Sequence, residues 1–338
     1  MKKYGIKVDY FCDNNIKMVG QIITSDGIYC LSPEEVFKME NTDIFIASTS
    51  VDEIKNQILH SRFAGNIITT PVDMLVFMSI ALSELEDMNK EIVKNKIARI
   101  FDILEDEQSQ RTLYFKIWGW FVTPEEMKNY VFDDILVPNQ YIPDGIIDLD
   151  NTSIIVDCGA YCGDTLEFFI DQGVEFQKYI GYELDKDNFQ LLNNFVNTSN
   201  QIVKSNVEVY NLGVSDSERT LTFFSKNFSS LILNEDEHSE GDTSVGKVVA
   251  LDTHLRECNV SYIKMDIEGS EMSALRGAEK LIMHKHPDCA ICIYHKATDL
   301  WEIPLFLKSC YPDYKFYIRH HANCYFDTVC YAIGGNRK

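Results

Sequence analysis

The chain has 338 residues, with 31 Lys and Arg against 52 Asp and Glu, a formal charge of −21. That length supports about two domains, while a surface this acidic repels phosphate backbones and anionic lipid, so nucleic acid is a poor partner. No run of about 18 apolar residues is present to span a bilayer, and ten cysteines without framework spacing or a leading signal core read as reduced thiols in a cytoplasmic protein.

Residues 1–65 read as a partial Rossmann-like α/β segment. Ile6 to Cys12 is strand-like and ends in Asp13-Asn14-Asn15. Ser32-Pro33-Glu34-Glu35 is a helix start, with Ser as N-cap and Pro at the first helical position. Asp43 to Ala47 is a second strand, and Val51 to Leu59 has helical spacing. Asp13 stands where a dinucleotide fold binds ribose, but the glycine-rich turn that should precede it is absent. A structural or oligomerising half-domain is expected here, which leaves homo-oligomerisation through this segment open. Residues 66–139 read as a helical connecting region, with further helix starts at Thr70-Pro71-Val72-Asp73 and Thr123-Pro124-Glu125-Glu126. The aromatic run Tyr114, Phe115, Trp118, Trp120, Phe121 suits a helix core better than a pocket wall.

From residue 140 onward one domain is expected, reaching residue 338. Strands are predicted at Ser153–Asp157, Tyr179–Glu183, Val207–Leu212, Ser261–Asp266 and Ala290–His295, with helices between them. Lys315–His320 and Thr328–Ile333 form an antiparallel closing pair. Alternating strands and helices argue for a doubly wound, mostly parallel α/β sheet. Cys289 and Cys292 lie three apart on one strand and face opposite ways, so no shared metal is expected.

The strongest local signal is Ile154-Ile155-Val156-Asp157-Cys158-Gly159-Ala160-Tyr161-Cys162-Gly163-Asp164-Thr165. An apolar strand ends in an acid and enters a turn with two glycines, which lets a ligand approach the backbone. The spacing of those glycines does not match the G-x-G-x-x-G fingerprint of NAD sites. Glu183 ends the next strand, where a carboxylate can accept both hydroxyls of a ribose. The turn Asn211-Leu212-Gly213 follows the third strand and is placed to flank an adenine. Together these residues suit S-adenosylmethionine (SAM). Asp157 would meet its amino end directly or through water, Glu183 its ribose. Gly159, Ala160, Tyr161, Gly163, Thr165, Leu184 and Gly213 complete the expected binding set.

Tyr262-Ile263-Lys264-Met265-Asp266-Ile267-Glu268-Gly269-Ser270-Glu271 crowds three carboxylates after the fourth strand. Asp266 or Glu268 can orient an acceptor hydroxyl or take its proton, and His295 is a further base candidate. Glu271 can simply favour the positive end of the next helix, and Lys296 can hold an anionic acceptor. A Mg²⁺ on Asp266 and Glu268 is the less favoured alternative, and no metal is assigned. The polar, acidic stretch Ser225 to Lys247 reads as a lid or as a solvated insertion.

Across about residues 140–335 these motifs, with Val249-Ala250-Leu251-Asp252 and Leu275-Arg276-Gly277-Ala278, resemble the FkbM-type methyltransferases. The resemblance implies a seven-stranded class I methyltransferase sheet and a SAM-dependent O-methyltransferase acting on hydroxyls of saccharides or other small polar metabolites. It places Asp157, Gly159, Gly163 and Glu183 on SAM-binding positions and Asp266 and Glu268 on the active-site turn. The N-terminal segment resembles the truncated Rossmann-like part of some glycan-modifying proteins, which points by analogy to glycan biosynthesis. The alternative is a SAM-binding, non-catalytic scaffold in glycan assembly.

Overall fold

The computed structural model describes residues 8–24, 27–39, 42–46, 51–61, 63–65, 67–68, 84–85, 88–119, 132, 134–200, 206–226, 229–232, 243–322 and 325–335. The helix starts expected at Thr70 and Thr123, and the aromatics Trp120 and Phe121, lie outside these residues. The chain forms two compact units, residues 1–79 with 117–131, and residues 80–116 with 132–338. Among the described residues no helix is long and apolar enough to cross a membrane.

In the first unit, β1 (Phe11–Cys12) pairs in parallel with β2 (Cys30–Leu31), and β3 (Ile44–Phe45) with β4 (Ile67–Ile68). Parallel neighbours need crossovers, and the one between β3 and β4 contains the helix Val51–Leu59. The helix Pro33–Val36 starts on a capping box in which Ser32 N–H donates to Glu35 Oε2 at 2.8 Å and Glu35 N–H to Ser32 Oγ at 3.4 Å. Asp13 spends its carboxylate locally, accepting from Asn15 N–H at 2.8 Å in the turn that ends β1.

The second unit holds β5 (Ile154–Cys158), β6 (Lys178–Tyr182), β7 (Val207–Tyr210), β8 (Gly213–Val214), β9 (Arg219–Lys226), β10 (Ser229–Ile232) and β11 (Thr243–Val249). It continues with β12 (Tyr262–Met265), β13 (Asp288–Cys292), β14 (Lys315–His320) and β15 (Thr328–Ile333). Seven of these form one sheet in the order β14-β15-β13-β12-β5-β6-β7. All pairs are parallel except those of β15, which runs antiparallel between β13 and β14. The helices Asp164–Asp171 and Lys186–Thr198 carry the chain outward from β5 to β7, and the return to β12 places the topological switch point between β5 and β12. In open α/β sheets the ligand crevice lies at the carboxyl ends of the strands beside that point. β12 is buried along its whole length and β5 nearly so, which explains their apolar runs without polar alternation.

The stretch Ser225–Lys247, expected as a lid or a solvated insertion, contains strands in its described part. It carries the end of β9, all of β10 and the start of β11, in a four-stranded sheet of order β10-β9-β11-β8. Its acids had masked the β-branched and aromatic residues that flank them. The helices Lys90–Ile103 and Glu107–Trp118, as far as Lys116, fall in the same compact unit as the sheet. Arg319 on β14 forks onto Asp106, with Nη1 to Oδ1 at 3.1 Å and Nη2 to Oδ2 at 2.5 Å. Burial raises the Asp106 pKa, but the hydrogen bonds from Arg319 and Ser109 outweigh it and hold the carboxyl below its usual range. Ile318 N–H donates to Ser109 Oγ at 3.0 Å, and the buried Lys116 donates to the Tyr325 carbonyl. These partners lie some two hundred residues apart in sequence, beyond the reach of local pattern reading.

Candidate active site

The turn after β5 is set by protein packing first. Gly159 has φ of +89°, and a Cβ there would lie 2.0 Å from the Asp266 carbonyl oxygen. No side chain fits that approach between the turns after β5 and β12. The N–H groups of Gly159 and Ala160 both donate to the Tyr182 carbonyl, at 3.0 and 2.9 Å, tying the turn to β6. Gly163, with φ of +97°, precedes the helix Asp164–Asp171, and a Cβ there would meet Phe195 at 2.8 Å. Gly159, Tyr161 and Thr165 line a cavity, whereas Ala160 and Gly163 are absent from its lining.

Asp157 sits behind the wall, fully buried and outside the cavity lining. Its Oδ1 lies 2.9 Å from Lys264 Nζ, and its Oδ2 accepts from Tyr179 Oη at 2.5 Å. Lys264 Nζ also donates to the Gly159 carbonyl at 2.7 Å. Burial opposes a charge on Lys264, but Asp157 and Asp266 overcome it and hold the ammonium protonated. Asp157 thus anchors Lys264, which fixes the glycine turn and itself reaches the cavity.

Glu183 follows β6 and is 6% exposed. Oε2 accepts from Tyr161 N–H at 2.9 Å, and Oε1 from Asp185 N–H at 2.7 Å. Each oxygen keeps a lone pair for a further donor. Burial pushes its pKa up to about 7, against the two backbone hydrogen bonds. Asn211, after β7, donates from Nδ2 to the carbonyls of Glu183 and Leu184 at 2.9 and 3.1 Å and so pins this turn. Leu184, Gly213, Val214 and Val248 form an apolar wall beside it.

At the other end stands Asp266, after β12. Tyr141 Oη donates to Oδ2 at 2.9 Å and Tyr294 Oη to Oδ1 at 3.0 Å, so two phenols fix its plane. Burial would raise its pKa, but His295, Lys264 and the two hydroxyls outweigh that, and it stays ionised. Glu268 and Gly269 are successive left-handed residues, with φ of +54° and +87°, and such strain is concentrated at working sites. Burial raises the Glu268 carboxyl despite His295 nearby. His295 lies behind these acids, with Nε2 3.5 Å from both Asp266 Oδ1 and Glu268 Oε2, and Nδ1 3.0 Å from Glu271 Oε1. Burial disfavours its charge, yet Glu271, Asp266 and Glu268 together push its pKa up to about 10. These acids favour the protonated ring, which works against His295 as a base near neutral pH.

One cavity of about 410 Å³ joins the two ends. It takes in Glu183, Leu184 and Gly213 at one side and Asp266, Glu268 and Ser270 at the other, with Tyr141, Gln140, Asp164 and Asp327 also on its wall. Tyr141, Tyr294 and Lys264 received no role from the sequence. Only Lys264 left a usable signal: a lysine inside a buried parallel strand needs a buried acid, and Asp157 is its register partner on β5.

Residues 157–315 match the model of the methyltransferase FkbM domain. The chain carries an FkbM methyltransferase domain. Its fold is similar to that of the crystal structure of a methyltransferase FkbM from Methylobacillus flagellatus, at a TM-score of 0.66 and 22% identity, over 90% of this chain and 78% of that one. The similarity thus extends well beyond the domain's matched residues. An Aeropyrum pernix fibrillarin with natively bound SAM scores 0.36 at 12% identity, over 56% of this chain and 70% of that one. An rRNA methylase from Streptococcus thermophilus scores 0.33 at 12% identity, over 54% and 87%. Scores this low carry no argument about function. No curated protein sequence matches the chain. The FkbM domain and its fold support a SAM-dependent methyltransferase.

Proposed function

We propose that this FkbM domain binds SAM in the cavity between Glu183 and Asp266 and methylates a hydroxyl of a saccharide or another small polar metabolite. The observation that carries the reading is the single cavity at the carboxyl edge of β5, β6, β7 and β12, with a ribose-type carboxylate at one end and a fixed carboxylate pair at the other. The donor set fits the cofactor. Glu183 offers two oxygens already oriented by backbone N–H groups, and the Leu184, Gly213 and Val248 wall is apolar enough for an adenine. Five carboxylates on the wall, Asp164, Glu183, Asp266, Glu268 and Asp327, face a single lysine, which suits a cationic ligand. When bound, SAM supplies a methyl group that passes from sulfur to the acceptor oxygen while the C–S electron pair stays on sulfur.

The chain's own residues do the rest. Asp266, locked by Tyr141 and Tyr294, accepts a hydrogen bond from the acceptor hydroxyl and orients it. Glu268, with a side chain 36% exposed, is more open than Asp266 at 24% or His295 at 10%, and it takes the hydroxyl proton. His295 acts as the cationic centre that holds three carboxylates together. Ile267 and Ser270 close the wall beside them.

The test is incubation with methyl-labelled SAM and a panel of sugars and small polyols, followed by mass analysis of the products. Label on an acceptor oxygen is expected. Saturable SAM binding with no transfer across the panel would instead leave a binding scaffold, and absence of SAM binding would remove the reading.

A further inference from the structure

Asp266, Glu271 and His295 each bring one donor atom to a common point, all within 4.8 Å of one another. They come from two neighbouring parallel strands: Asp266 follows β12, Glu271 opens the helix Glu271–Arg276, and His295 follows β13. A cluster of acids alone would mean little, but Glu271 and His295 are nine-tenths or more buried and each keeps a donor atom without a hydrogen-bond partner. Glu271 is 0% exposed, and its Oε2 has no hydrogen-bond partner. The His295 side chain is 10% exposed; its Nδ1 lies 3.0 Å from Glu271 Oε1, and its Nε2 makes no hydrogen bond of good geometry. Buried polar atoms left without partners are costly and ask for an explanation.

The atoms around them are arranged as outer partners of a metal site are. Tyr141 and Tyr294 orient the Asp266 carboxylate, and Ile267 N–H donates to Glu271 Oε1 at 2.9 Å, leaving Oε2 free. Glu268 Oε2, 3.5 Å from His295 Nε2, stands ready as a fourth donor. Asp266 and Glu268 also line the cavity, so one side of the cluster opens toward it.

We infer that Asp266, Glu271 and His295 form a binding site for a divalent first-row transition metal ion, with Glu268 beside it. An imidazole with carboxylates favours such an ion over Mg²⁺ or Ca²⁺, which prefer all-oxygen shells. The ion takes the place of the extra proton that His295 carries in its absence, so binding releases a proton to solvent, and it neutralises the crowded acids and completes the unspent valence of Glu271. Its open side faces the acceptor end of the cavity. There, and this clause alone rests on the methyl-transfer reading, it would hold the acceptor oxygen and make its proton easier to remove.

Metal binding is measured on the full chain, stripped with chelator and desalted, with neither SAM nor acceptor present. Co²⁺ is titrated in while its visible absorption is followed, and Mn²⁺ is followed by loss of its free-ion electron paramagnetic resonance signal. One saturable equivalent of each is expected. Affinity should fall at least tenfold in Glu271→Gln and in His295→Asn and stay unchanged in the exposed control Glu257→Gln. Circular dichroism establishes that each variant is folded. No saturable equivalent in the wild type overturns the site, and that result needs no variant. Binding unchanged in both folded variants overturns it equally. Since neither measurement involves methyl transfer, failure of the metal site and failure of the proposed reaction are read separately.

Discussion

The two ends of the cavity are built in different ways. The end at Glu183 is held by backbone: two N–H groups fix the carboxylate, and the glycine turn hangs from the Tyr182 carbonyl. The end at Asp266 is held by side chains drawn from positions 141, 264, 294 and 295. A backbone-held site depends on a few neighbouring residues and tolerates change elsewhere. A side-chain-held site fails when any distant member is lost, so it is where chemistry can diverge on one fold.

Substitutions separate the two ends. The largest effect is expected from Asp266→Ala, which should lower methyl transfer by about 10²–10⁴-fold at saturating SAM while leaving SAM affinity within a factor of three or so. A parallel loss of SAM affinity in calorimetry would show that the ends are not separate. Gly159→Ala attacks the seam between them, since its Cβ would strike the Asp266 carbonyl and its φ is positive. It should destabilise the fold by about 2–4 kcal/mol in denaturant unfolding; a change below about 0.5 kcal/mol would mean that the two turns part freely.

Glu183→Gln should weaken SAM binding by about 10–100-fold, the usual loss for one charged hydrogen-bonding group. Its pH signature is sharper. With its pKa raised by burial to about 7, the wild type gains ribose-accepting carboxylate, and hence SAM affinity, as pH rises from 6 to 8. The stability linkage runs the other way: a carboxyl whose folded pKa exceeds its unfolded value favours the fold fully below about pH 4.5 and loses that contribution as pH rises through about 7. Glu183→Gln should therefore flatten the affinity profile and raise the melting temperature relative to wild type at pH 8. A wild-type affinity that does not change across this window would remove the ribose assignment. The smallest effect is expected from Tyr141→Phe, which leaves Asp266 with one phenol and should slow transfer about tenfold. Combined with Tyr294→Phe the losses should be non-additive, because both act on one carboxylate.

The same contrast explains what could be read from the chain. β5, β6, β12 and β13 announce themselves as apolar runs that end in turn residues, and the Ser32 capping box is complete within four residues. The Glu183 end is legible for that reason. The Asp266 end is legible only in its own motif, which shows Asp266 and Glu268 but not their support: Tyr141 lies 125 residues from its carboxylate partner, and nothing near Tyr141 in sequence calls for one. The acids Asp157 and Glu271 stand out in their motifs, but their full burial is a tertiary fact that the motifs do not show. The acidic character of residues 225–247 hid strands for the same reason, because their pairing lies in β9 and β11.

The five carboxylates around the cavity also bear on turnover. A sulfonium that gives up its methyl group becomes an uncharged thioether, and the attraction that drew it in weakens at the moment the reaction is complete. The spent cofactor is then left among anions that repel one another, with one fewer cation between them. On the proposed reading, discharge of the ligand loosens its own grip, and the acidic wall favours a charged donor coming in and a neutral remnant going out.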